Sequence, residues 1–157
     1  MKHHHHRPAQ PPRHVRRHRA FRHRLQPQLL VQLSTCLHVN LDAIATGQAD
    51  VQLLWDYVST TLTFSHIAEA LGEGEPEMAA QLELGLSLVN AFVRTGRVLF
   101  TGPEYQLAKL GVLQMEALTE RCSLPIAVAA ATRSEEQLLA LKAANPTIEE
   151  AAPCLQP

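Results

Sequence analysis

The stretch Val51–Leu71, VQLLWDYVSTTLTFSHIAEAL, decides how this chain is read. Val51, Leu54, Trp55, Val58 and Leu62 fall at i, i+3, i+4, i+7 and i+11, and Ile67, Ala68 and Leu71 carry the stripe on with some drift. That spacing lines one face of an α-helix. Asp50 offers an N-cap at its start and Gly72 a stop at its end. The stretch holds the single Trp of a chain with only 4% aromatics. With so few rings the core must be mostly Leu, Val and Ala, which suits helices better than sheets.

Outward from this helix the same pattern recurs. Upstream, Leu30, Leu33, Leu37, Leu41 and Ile44 follow at steps of three or four, predicting a helix over Gln28–Thr46 with Gly47 as its stop. Downstream, Gly72–Pro76 reads as a turn, with Pro76 at the first position of a new helix, Pro76–Thr95. That helix is apolar on two sides, Ala79/Leu82/Leu86/Val89/Val93 and Leu84/Leu88/Phe92, so it is expected to lie deepest, with the Trp55 helix as one wall of the core. Phe64, Leu84 and Phe92 fit core filling better than a dimer interface. Arg97–Phe100 reads as a short extended linker.

Thr101 and Glu104 have capping-box spacing and open a fourth helix to about Arg121, with Leu107, Leu110, Gln114 and Leu118 on one face. Cys122–Pro125 breaks the pattern, and Ile126–Ala131 reads as helical or irregular. Ser134 and Gln137 repeat the capping-box spacing and open a last helix to Ala144, stopped by Asn145-Pro146. Gly85 and Gly111 stand inside predicted helices, as points of close helix approach or as weak spots. The fold expected is all-α, an antiparallel bundle of four to five helices over residues 28–144. It is preceded by a disordered Arg/His/Pro-rich arm, 1–27, and followed by a loose tail, 145–157.

The net charge of −1 hides a division. Residues 1–24 hold Lys2 and Arg7, Arg13, Arg16, Arg17, Arg19, Arg22 and Arg24, eight of the chain's 14 basic residues and none of its 15 acidic ones. The remainder carries six basic residues against all 15 acidic ones. The segment RHVRRHRAFRHR, 13–24, is built to pair with phosphates, since guanidinium groups bind them bidentately and stay charged. The nucleic-acid-binding residues expected are therefore Arg13, Arg16, Arg17, Arg19, Arg22 and Arg24, on DNA or RNA. A docking role on an acidic protein surface, this chain's own body included, is the alternative use of the same arm. His3–His6 reads equally as an expression tag or as native.

Other chemistry finds little support. Cys36, Cys122 and Cys154 are far apart and never CxxC, which fits a reducing compartment and not a zinc site or disulfide framework; Cys36 is expected to be a small buried thiol. His38 and His66 each stand alone on a helix, and Ser59, Ser65 and Ser87 lack a nucleophile-elbow context. Glu73, Glu75 and Glu77 suit a turn and a helix N-terminus. No cofactor, no metal site and no catalytic residue is expected. Gln32, Ser34, Thr35, His38 and Asn40 interrupt Leu29–Leu41, which argues against a secretory signal, and no other run is long enough to span a membrane.

Arg13-His14-Val15-Arg16, Ala45-Thr46-Gly47 ahead of Trp55, and Asn90-Ala91 together carry a resemblance. Over roughly residues 13–143 the chain resembles small helical proteins carried by phages, prophages and plasmids of proteobacteria, some of them labelled Fis-type transcriptional regulators. The resemblance implies a cytoplasmic, mobile-element accessory protein of unassigned activity and no active-site residue. A helix-turn-helix would end on a basic recognition helix, whereas Ser134–Ala144 sets Lys142 against Glu135 and Glu136. The function expected is a non-enzymatic nucleic-acid-binding accessory or regulatory protein. The alternative is a protein–protein adaptor or inhibitor encoded by a mobile element and acting through the acidic body. Protein partners and a homodimer stay open.

Overall fold

The computed structural model describes residues 25–144, and among them the chain forms five helices and no strand. α1 (Pro27–Ala45) begins on a proline, whose missing N–H is no loss in a first turn. α2 (Val51–Leu71) is capped by Asp50, whose carboxylate accepts from the Leu53 N–H at 2.8 Å, and it ends on Gly72 in the left-handed region. α3 (Glu75–Thr95) again places a proline in its first turn, beside Glu75 and Glu77, which complement the helix dipole. α4 (Gly102–Arg121) carries the full capping box. The Glu104 carboxylate accepts from the Thr101 N–H at 2.7 Å, and the Thr101 hydroxyl accepts from the Glu104 N–H at 3.4 Å.

α5 runs unbroken over Leu124–Ala144 and corrects the expected break before Ser134. Pro125 sits in its first turn, where proline is tolerated, and the Ala-rich run that follows has high helix propensity. Ser134 is not a cap. It lies mid-helix, 2% exposed, with its hydroxyl donating to the Ala131 carbonyl and sharing a hydrogen bond of 2.8 Å with the Thr63 hydroxyl. Capping-box spacing alone could not separate these cases.

α2 is the spine of the bundle. It packs along α3 on one side and α5 on the other, while α4 lies against α3 and carries α1. Neighbours run antiparallel: Trp55 meets Lys142 and Thr63 meets Ser134 across α2–α5, and Gln81 meets Leu107 while Gly74 meets Gln114 across α3–α4. α2 feeds both apolar clusters. Leu54, Trp55, Val58 and Leu62 join Leu84, Leu88 and Val89, and Phe64, Ile67 and Ala68 join Met78, Met115 and Leu118. The expectation that α3 lies deepest is thus corrected. Of its first stripe Val89 is buried but Leu82, Leu86 and Val93 are only partly covered, so width of apolar surface overstated its depth. Phe64, Leu84 and Phe92 do fill the core.

A polar network crosses this core. The Tyr57 hydroxyl donates to Gln81 Oε1 at 2.6 Å, and Gln81 Nε2 donates to the Leu107 carbonyl at 2.8 Å, tying α2, α3 and α4 together. Burial pushes the Tyr57 phenol well above its ordinary range, so it remains a donor throughout the working pH range. Gly111 makes room for the glutamine: a β-carbon there would lie 2.1 Å from Gln81 Cδ. At Gly85 a β-carbon would lie 3.0 Å from Val58 and 3.1 Å from Tyr57, so both helix glycines mark close approach.

In an open helix Gly111→Ala would gain about 1 kcal/mol of propensity. Here the methyl collides with a hydrogen-bonded side chain, and a net loss of about 2 kcal/mol in chemical denaturation is expected. In the double variant Gly111→Ala/Gln81→Ala the loss is expected to fall well short of the summed single losses. Additive losses would contradict this contact.

Candidate binding surface

The arginines at 13, 16, 17, 19, 22 and 24 lie outside the described residues, and the structure takes up the chain at Leu25. Leu25 is 8% exposed and packs with Leu37, Phe64 and Cys122, so the root of the arm is anchored in the core. Gln26 is extended (φ −68°, ψ 143°) because Pro27 follows it and disfavours helical backbone at the preceding residue.

Beside this root is an apolar cleft of about 320 Å³. Leu29 and Leu33 of α1 form one wall, Leu124 and Val128 of α5 the other, and Phe64 and Ile67 of α2 the floor. It exists because α1 is carried by α4 whereas α5 is carried by α2, and the two helices leave a gap between them. Cys122 lies at its edge, 1% exposed, with its thiol pushed up by burial, which leaves it a poor nucleophile. Cys36 is exposed and not buried as expected, because it sits on the solvent side of α1.

On the other side of α1 a hollow of mixed lining sets Leu30 and Val31 beside Ser34, Thr35, Glu116 and Glu120. The Ser34 hydroxyl donates to Glu116 Oε1, and His38 Nε2 lies 3.2 Å from the same oxygen. Hydroxyl and imidazole both meet the carboxylate and not each other, so Ser34 and His38 do not form a serine–histidine pair. His66 spans α2 and α5. Its Nε2 is 3.1 Å from Gln137 Oε1 and its Nδ1 is 3.5 Å from Glu69 Oε2, which the Arg133 guanidinium also contacts at 3.0 Å. Both lone histidines therefore join helices together. Among the described residues no three His, Cys, Asp or Glu side chains gather as a metal site, and no helix is long and apolar enough to cross a membrane.

Charge is distributed along the bundle axis. The end where the arm emerges also gathers the C-termini of α2 and α4 and the N-termini of α3 and α5. It bears Glu69, Glu73, Glu75, Glu77, Glu116 and Glu120 against Arg121 and Arg133. Both arginines are already taken, Arg121 by Glu73 and Arg133 by Glu69. The body's other cations, Arg94, Arg97, Lys109 and Lys142, lie toward the far end, where Lys109 and Lys142 sit over the rings of Tyr105 and Trp55.

The α4 stripe expected inward is rotated in the structure. Ala108, Gly111, Val112, Met115, Leu118 and Thr119 face the core, whereas Leu110 and Leu113 are 63% and 58% exposed. Small residues at 108 and 111 allow close packing on that side, and the hydrophobicity of the leucines pointed the wrong way. Sequence reasoning also missed Glu116 and Glu120, since nothing local links them to Ser34, 82 positions earlier than its partner. Compared with family models, with curated proteins and with solved structures, the chain matches none of them.

The Glu69 carboxyl is held below the usual carboxylate range, first by its hydrogen bond to His66 and then by Arg133. A depressed folded value adds stability that is present above the unfolded value of ~4.3 and lost as pH falls through the folded one. Glu69→Gln is therefore expected to flatten the fall of the unfolding midpoint with acid below about pH 4.3. An unchanged acid slope in denaturation series would contradict the role given to this carboxylate.

Proposed function

We propose that the chain is a non-enzymatic nucleic-acid-binding accessory or regulatory protein whose binding element is the arginine-rich arm. The observation that carries this reading is the charge division between arm and body. The phosphate-pairing residues Arg13, Arg16, Arg17, Arg19, Arg22 and Arg24 precede a body that carries an excess of acidic residues. An acidic body repels a polyanion, so contact with DNA or RNA falls to the arm. The resemblance to phage- and plasmid-borne proteins supports a cytoplasmic accessory role, and cysteine usage agrees with a reducing compartment.

A second reading is favoured by one observation of its own. Leu110 and Leu113 stand exposed on the outer face of α4, away from the arm, as a patch on which a protein partner or a second copy of the chain could rest. In that reading the chain is an adaptor or inhibitor acting through its acidic body.

A gel-shift salt series separates the two. If six phosphates are neutralised, the logarithm of affinity for duplex DNA is expected to fall with a slope of about −5 against the logarithm of salt. Replacing the six arginines of residues 13–24 by alanine in the full-length chain is expected to abolish binding and the slope. Undiminished binding by that variant would overturn the arm reading. Leu110→Glu/Leu113→Glu is expected to leave nucleic-acid affinity unchanged, whereas an adaptor would lose its partner.

A further inference from the structure

The cleft and the hollow on either side of α1 differ in one respect: the cleft lining carries no charged side chain, whereas the hollow carries the carboxylates of Glu116 and Glu120 among apolar neighbours. Leu25 lines the cleft and also a second depression, which contains Arg121 and shares Leu30, Thr119 and Glu120 with the hollow. Immediately upstream the sequence reads Phe21-Arg22-His23-Arg24. In extended chain, side chains alternate, so Phe21 and Leu25 share one side while Arg22 and Arg24 share the other. The chain enters α1 extended at Gln26. Four residues reach at most about 14 Å, which keeps Phe21 close to the cleft that Leu25 already lines. An apolar cavity of about 150 Å³ already accepts a benzene ring, and this cleft, at about 320 Å³, is larger.

We propose that the arm docks on its own body, with Phe21 seated in the apolar cleft between α1 and α5 and with Arg22 and Arg24 set against the acidic hollow of Glu116 and Glu120. Three observations choose this occupant over others. Phe21 is the one aromatic of residues 1–24, and it stands next to the cleft in sequence. Glu120 lines the depression at Leu25, the residue that follows Arg24, beside an Arg121 already paired with Glu73. The end of the bundle from which the arm leaves has more glutamates than its own arginines engage. Docking takes Arg22 and Arg24 out of the set available to phosphates, so nucleic acid and body compete for the same two residues. That competition rests on the reading of the arm as a nucleic-acid element; the docking itself does not.

The test is a disulfide trap in the full-length chain without nucleic acid. Cys36→Ser and Cys154→Ser leave Cys122, 1% exposed, as the one native thiol; Ala20→Cys places a thiol next to Phe21 in sequence, and Val128→Cys places its partner on the cleft wall. Leu139→Cys, 69% exposed on the same helix but nearer its far end, is the control. Docking is expected to close the 20–128 disulfide within one chain about tenfold faster than the 20–139 disulfide, by raising the local thiol concentration. Adding Phe21→Ala, or Glu116→Gln with Glu120→Gln, is expected to remove most of that advantage, as is about 0.5 M salt, which shortens the reach of the ion pairs. Equal rates at 128 and 139, a rate indifferent to Phe21→Ala, or a disulfide formed only between two chains would each overturn the proposal. Because no nucleic acid is present, a chain that fails the gel shift can still pass this test.

Discussion

A buried glutamine must find partners for its amide, and the arrangement that satisfies Gln81 fixes the centre of this bundle. Its oxygen takes the Tyr57 hydroxyl from α2, and its nitrogen reaches the Leu107 carbonyl on α4. A buried amide left unpaired costs about 1–3 kcal/mol, so a slip of α3 against either neighbour is opposed at both ends of one side chain. Gly111 opens the space that this requires, and Gly85 lets α2 and α3 approach. Once these three helices are in register the other two have their seats, α5 on α2 and α1 on α4. The cleft is the gap left between those two outer helices.

Much of the fold was legible in the sequence because helix ends are written locally. Asp50, Gly72 and the Thr101/Glu104 pair all act where their spacing placed them. Positions facing the core were less legible. On α4 Leu118 faces the core as its spacing predicts, but Leu110, expected on the same face, points outward, while Ala108 and Gly111 face inward because neighbouring helices come close there. Ser134 mimicked a cap inside a continuous helix because serine can also satisfy its hydroxyl on the preceding turn and on Thr63. These are tertiary effects, set by Gln81 and Thr63, 30 and 71 positions from Gly111 and Ser134.

The candidate surface was legible only in its charge. The arm's arginines stand out in any reading of composition, but the acidic end of the bundle is assembled from five helix termini and has no local signature. Its glutamates are spread from Glu69 to Glu120, and they meet because antiparallel helices return to the same end. The lone histidines, by contrast, carried no catalytic geometry into the fold. His38 shares a glutamate with a serine, and His66 bridges two helices.

The proposed function separates a folded body from a nucleic-acid-binding arm, joined at a root anchored by Leu25. Amide hydrogen exchange on the full-length chain with and without duplex DNA tests that separation most directly. Changes are expected only at the root and cleft margins, residues 25–33 and 119–128, with exchange in α2 and α3 unaltered. Protection by DNA along α2 or α3, or no change at the root while DNA is bound, would contradict it.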